Sequence, residues 1–237
     1  IDWASAAPWL RQAAAVPACA DARPAAAALA PNERRRAPEA VLLACEVAGQ
    51  ACAMAGRDPA SLPCVFASMH GDIAITDVMC TGLADNPEQL SPTKFHNSVH
   101  NAPAGYWTVA THCRAPSSAV SAWRGSFAAG LFEAAAVAIA DDAPVLFAAY
   151  DIGACGPLAE VLQATAPVAM ALLLSHQRGP RTLATLRLRH EPRRAPVDAM
   201  PTAFAPLADS NPVAASVMLF AALARGTAAS LRLRNGA

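Results

Sequence analysis

The sequence has no net charge to offer a polyanion: eighteen basic side chains are matched by eighteen acidic ones. Aromatic residues make up only 5% of the chain, and no basic stripe with interleaved aromatics appears, which argues against nucleic acid as a partner. The seven cysteines, at 19, 45, 52, 64, 80, 113 and 155, are odd in number and never closer than seven residues apart. No metal knuckle, redox CxxC pair or disulfide framework is therefore expected, and the pattern fits a reducing cytoplasm. Long apolar runs are missing too, since "EAAAVAIA" and "PVAMALLLS" fall well short of the roughly 18 residues of a membrane span. The first residue is Ile rather than Met, so a trimmed start is expected, and no basic n-region precedes an apolar h-region. No internal repeat or low-complexity linker divides the chain.

What is present is a large apolar content, 54% of 237 residues, enough for one sizeable core. The first 35 residues read as an irregular N-terminal arm with one short helix around "WASAAPWLRQAA". From residue 36 to 192 the pattern is that of an α/β domain. Val41, Leu42, Cys45, Val47, Ala48 and Cys52 recur at helical spacing until Gly56 and Pro59 stop the run. "LPCVFASM" is a short buried strand, "DIAITDVMCTGLA" a helix, and "NSVHNAPAGYWTVATHC" holds a further helix interrupted near Pro103 and Gly105. A strand over 116–122, a helix over 126–140 and the strand "PVLFAAYD" follow, an order that calls for a parallel crossover. "PVAMALLLSHQ" and "RTLATLRLRHE", joined by "RGP", predict an edge hairpin. "HEPRRAPVDAMPTAFAP" reads as a loop, and residues 193–237 add a last helix, "NPVAASVMLFAALARG", and a terminal strand, "AASLRL", packed on the same domain.

Several stretches are less generic. "NAPAGYWTVA" resembles the helix that precedes the active-site strand of β-ketoacyl synthases, the ketosynthase branch of the thiolase fold. "APSSAVSAWRGSFAAGLFEAAAVAIADDAPVLFAAYD" is similar to that strand, its elbow, the central buried helix and the next strand. "RAPEAVLLACEVAGQACAMAGRDP" with "SLPCVFAS" resembles the family's first long helix and the strand after it, and the two runs after residue 166 resemble the strands that finish its N-terminal half. The resemblance spans about residues 36 to 190 and implies a half-length, thiolase-like fold: a mixed sheet with a buried central helix and helices on both faces.

In that register the ten positions "APSSAVSAWR" overlie the stretch that ends on the family's nucleophilic cysteine, and Arg124 stands in the cysteine's place. Counting back from Asp151 gives the same register without a gap, with Glu133 and Ala134 where ketosynthases often carry an acid and an alanine. A guanidinium has no lone pair to attack a thioester. The family's His-Gly-Thr and Asn-His motifs are absent around all six histidines, and the chain is little over half a ketosynthase in length. The resemblance thus implies a pseudoenzyme with no catalytic residue. Cys113 is the alternative nucleophile for a condensing or acyl-transferring enzyme, although it would need an eleven-residue insertion before the helix. A cation at a helix start opposes the macrodipole, so Arg124 is expected either to reach solvent or an acid such as Asp151 or Glu133, or to fill the mouth of the acyl pocket.

"HNSVHNAPAGYW" and "GLFEAA" are similar in particular to the small ketosynthase-like proteins of aryl polyene clusters, described as chain-length factors. That likeness implies a heterodimer with a full-length ketosynthase, an acyl carrier protein reached through that partner, and no cofactor. It implies an interface strand at Ser117, Ser118, Ala119, Val120 and Ser121, and an acyl tunnel lined by Phe95, Val99, Tyr106, Trp107 and Phe127. A structural or carrier-docking subunit without influence on chain length is the third reading, and "ERRR" and "EPRRAP" are the charge runs that would touch an acidic carrier. His96 and His100, four apart, are one candidate metal pair, but no third ligand accompanies them and no metal site is expected.

Overall fold

The computed structural model describes residues 2–12, 23–162, 164–191, 198–208 and 211–234. In chain order its elements are α1 (Trp3–Gln12), α2 (Pro31–Arg36), α3 (Glu39–Ala55), β1 (Cys64–Ala67), α4 (Ile73–Asp85), α5 (Pro92–Asn97), α6 (Ala102–Ala110), β2 (Ser117–Val120) and α7 (Ser126–Ala140). They continue with β3 (Val145–Asp151), α8 (Ala159–Leu162), β4 (Val168–Leu174), α9 (Ala205–Ala208) and α10 (Ser216–Arg225).

The four strands form one sheet in the order β2-β1-β3-β4. β1 runs parallel to both β2 and β3, and β4 closes the other edge antiparallel to β3. β1 and β3 are buried along their whole length, so their runs read as continuous apolar stretches. One sheet face, carrying Phe66, Leu146, Ala148 and Tyr150, packs on α3 and α6 through Val41, Cys45, Ala48 and Trp107. The opposite face, with Val65, Ala67, Phe147 and Ala149, packs on α7 through Phe127, Leu131, Ala134 and Ala138.

Local chemistry sets the ends of these elements. α3 stops at Gly56, whose φ of +62° lets its N–H return to Ala53 and Cys52. α4 begins where the Asp72 carboxylate accepts the Ile75 N–H at 3.0 Å. Pro103 lies in the first turn of α6, where its missing N–H costs nothing, and the helix runs on through Gly105 rather than breaking there. On α7, a Cβ at Gly130 would come within 2.6 Å of the Ala67 methyl and 2.7 Å of the Phe147 ring, so glycine is what lets this helix lie close on the sheet.

Two expectations need correction. Residues 181–191 form no strand and the predicted hairpin is absent: the alternating leucines sit against the end of the core or in solvent with no ladder to join, Leu183 being 55% exposed. "AASLRL" is likewise not a strand; it is tied across 34 residues to Asp198, whose N–H donates to the Arg232 carbonyl and whose carboxylate accepts the Arg232 N–H at 2.6 Å. The short helix expected near the N-terminus is α1. α1 docks on the C-terminal segment through Trp3 on Phe220 and Trp9 on Phe204, edge to face, while the Arg11 Nε–H caps the Ala224 carbonyl at 3.0 Å. α2 is a second helix there, begun by Pro31 and ended by Arg34, Arg35 and Arg36, the placement the helix dipole favours.

Candidate functional site

The carboxyl ends of β1, β2 and β3 converge, the place where open α/β sheets put their sites. After β2 the chain turns into α7 within five residues. Ser126, 1% exposed, closes that turn: its Oγ accepts the Ala122 N–H at 2.9 Å and donates to the Trp123 carbonyl at 2.6 Å. Trp123 is held at φ +53°, a left-handed conformation that a bulky residue adopts at a cost on the order of 1–3 kcal/mol. Arg124 follows it, half-buried, two residues ahead of the first residue of α7.

The turn after β1 supports this elbow from below. Ser68 is fully buried and its Oγ donates to Asp151 Oδ1 at 2.6 Å, while accepting the N–H groups of Gly71 at 2.8 Å and His70 at 3.3 Å. Asp151, at the end of β3, also takes the Met69 N–H at 3.0 and 3.1 Å and faces His70 Nε2 at 3.7 Å. Burial raises the Asp151 pKa above its ordinary value, against the opposing pull of His70, Ser68 and the Met69 and His70 amides. Burial raises the Tyr150 hydroxyl as well, with Asp151 adding to it. Further contacts fix the neighbours. Ser121 Oγ donates to the Met69 carbonyl at 3.0 Å, His100 Nε2 lies 3.0 Å from the Ser68 carbonyl, and the Tyr150 hydroxyl donates to the His100 carbonyl at 3.3 Å. Asn211 Nδ2 donates to the carbonyls of Asp151 and Ala166, at 2.9 and 2.7 Å, and so moors the C-terminal segment here.

Asp151 is engaged by Ser68, Met69 and His70, and Glu133 lies on an exposed face of α7. Cys113 sits at the far end of the sheet from the elbow: its buried thiol donates to the carbonyl of Leu62, ahead of β1, at 3.3 Å. Its surroundings include the thiols of Cys52 and Cys64, whose pKa values burial pushes up to about 11 and about 12. Nothing there resembles the helix N-terminus that lowers a thiol's pKa.

Ser117 to Val120 form the edge strand β2, alternately exposed and half-buried, hydrogen-bonded to β1 on one side. The five aromatic and aliphatic residues suggested as a tunnel wall are not brought together. Phe95 and Val99 are 65% and 48% exposed, and Tyr106 is half-buried with its hydroxyl on Asn97 Oδ1 at 3.0 Å. Trp107 and Phe127 lie in the cores on opposite faces of the sheet. His96 is in α5 but His100 lies beyond its end, so they share no helical face; His96 instead sits near the Tyr106 ring. Among the described residues no group of three or more His, Cys, Asp or Glu side chains could hold a metal ion, and no helix is long and apolar enough to cross a membrane.

Comparison with known proteins now bears on this geometry. Residues 3–221 match the family Beta-ketoacyl synthase, N-terminal domain. The chain belongs to that family. Its fold is the half-length, thiolase-like ketosynthase fold, with α7 as the central helix. A solved structure that it resembles is the ketosynthase ApeO in complex with its chain length factor ApeC from Xenorhabdus doucetiae. The likeness has a TM-score of 0.64 and 25% identity, and covers 92% of this chain and 84% of that chain. A search of curated protein sequences finds no match.

Sequence reasoning located the elbow but missed the cluster of Ser68, His70 and Asp151 beneath it. The "SMHGD" run offered one signal, a small polar residue and a glycine directly after a buried strand.

Proposed function

We propose that this chain is a non-catalytic ketosynthase-like subunit, a chain-length factor that pairs with a full-length ketosynthase and shapes the far end of its acyl tunnel. The setting is aryl polyene or related polyketide or fatty-acid-like biosynthesis in the cytoplasm. The observation that carries the reading is Arg124 in the turn between β2 and α7. That turn is built as a nucleophile elbow, with a strained residue and a serine lock, yet the residue it presents holds a permanent positive charge and cannot attack an acyl thioester. Tunnel depth would then set product length by sterics, with no bond made or broken by this subunit.

Two observations support pairing. β2 is an edge strand with small side chains, and its outer side meets no other strand among the described residues, so a counterpart strand can approach closely and extend the sheet. The solved structure that the chain resembles contains a ketosynthase bound to its chain length factor. In this reading Phe95 and Val99 are exposed because a partner covers them, and an acyl carrier protein docks through the ketosynthase. The test is co-expression with a full-length ketosynthase from the same organism, followed by size exclusion and product analysis. A one-to-one complex whose product length changes when this subunit is exchanged is expected. A ketosynthase that yields the same products without it would overturn the proposal.

A further inference from the structure

The balanced charge conceals a division along the chain. Residues 1–177 carry nine basic and fifteen acidic side chains, net −6, whereas residues 178–237 carry nine basic and three acidic, net +6. All nine of the later cations are arginines, and the tetrapeptide Leu-Arg-Leu-Arg occurs twice, at 186–189 and 231–234. Both copies lie in extended chain outside helix and strand, and both set leucines against the same apolar cluster: Leu186, Leu231 and Leu233 pack on the α7 side of the sheet. Alternation then sends Arg187, Arg189, Arg232 and Arg234 outward, and all four are exposed. None of these four side chains has an ion-pair or hydrogen-bond partner among the described residues.

Apolar side chains accompany the arginines. Leu183 and Leu188 are 55% and 37% exposed, and they line the same hollow, about 2750 Å³ along β4, as Phe132 and Ile139 of α7, which are 46% and 70% exposed. We infer that this face binds peripherally to an anionic lipid surface. Guanidinium groups would meet the phosphates while the exposed leucines and Ile139 enter the headgroup boundary. Charge complementarity alone would suit an acidic protein equally, but one feature beside the arginines favours lipid. The apolar side chains among them are open to solvent, which a lipid interface accommodates without a matching surface. This inference is independent of the elbow and of the pairing proposed above.

Sedimentation of the full chain with vesicles of phosphatidylcholine, alone or mixed with phosphatidylglycerol, tests it. The wild type binds the mixed vesicles and not the neutral ones, and added salt releases it. Replacing Arg187, Arg189, Arg232 and Arg234 together by Gln lowers the partition by roughly several hundredfold, at about fivefold for each charge removed. These side chains are exposed and form no ion pair or hydrogen bond among the described residues, so an unchanged circular dichroism spectrum and melting temperature accompany the loss. Equal binding to both vesicles, binding to neither, or undiminished binding of the variant would overturn the inference. Retention on immobilised polyglutamate without vesicle binding would overturn it too, and assign the face to an acidic protein.

Discussion

Gly130 is the position at which the packing of the central helix can be tested most cleanly. A methyl added there meets the Ala67 Cβ at 2.6 Å and the Phe147 ring at 2.7 Å, against ordinary carbon contacts of about 3.5–4.0 Å. Ala67 and Phe147 are both fully buried on strands, so α7 itself must move outward by about 1 Å. Overpacking of that size costs about 1–3 kcal/mol, and the better helix propensity of alanine returns about 1 kcal/mol. The expected net loss for Gly130→Ala is up to about 2 kcal/mol, which at this chain length lowers the melting temperature by up to roughly 8 °C. Gly49 supplies the internal control. It too lies within a helix, α3, but a Cβ there meets nothing within 4 Å. Gly49→Ala therefore keeps only the propensity gain, and a rise of roughly 1–4 °C is expected. Thermal melts of the two variants beside the wild type, followed by circular dichroism, decide the matter. If Gly130→Ala stabilises as much as Gly49→Ala, α7 does not pack on β1 and β3 as described.

Three other outcomes follow from the site. Burial raises the Asp151 pKa in the folded state, so folded protein takes up this proton before unfolded protein does, and the group's contribution to stability grows as pH falls from neutral towards the ordinary carboxylate value. Denaturant melts across that window should show the wild type gaining on the non-titrating Asp151→Asn, and a difference that is flat or of the opposite slope would contradict the assignment. Asn211→Ala removes the mooring of the C-terminal segment and leaves the Asp151 and Ala166 carbonyls and the Val213 N–H without that partner; a loss of about 2–4 kcal/mol is expected, together with faster proteolysis of that segment. Among the thiols, exposed Cys80 should react with a maleimide in minutes at neutral pH, whereas buried Cys45 and Cys64, both pushed up to about 12, should be labelled only after unfolding, as peptide mass mapping would report.

The parts of the fold that were legible in the sequence are those where burial imposes a period. The stripe of Val41, Cys45, Ala48 and Cys52 marks α3 because one face of that helix meets the sheet, and the bounds of α7 follow from a long apolar run with no strand-breaking residue. The apolar alternation of 181–191 misleads because the same pattern serves a leucine row resting on a core edge without ladder hydrogen bonds. The elbow could be placed because a fixed number of residues joins it to the strands on either side. The network beneath it could not. Ser68 and Asp151 meet across 83 residues, and Asn211 reaches Asp151 across 60, so no local spacing announces either contact. The suggested tunnel residues are scattered for a related reason: apolar residues on α5, α6 and α7 look alike in sequence, whether they face a cavity, a core or solvent.

The account rests on the inability of the residue at the elbow to form an acyl bond, and that is open to direct measurement. This chain, purified together with the ketosynthase proposed as its partner, is incubated with an acyl thioester, digested and mapped by mass spectrometry. The acyl group is expected on a cysteine of the ketosynthase and on no residue of this chain, with the same result for Arg124→Ala. A stoichiometric adduct on Cys113, or on any other cysteine of this chain, would contradict the account.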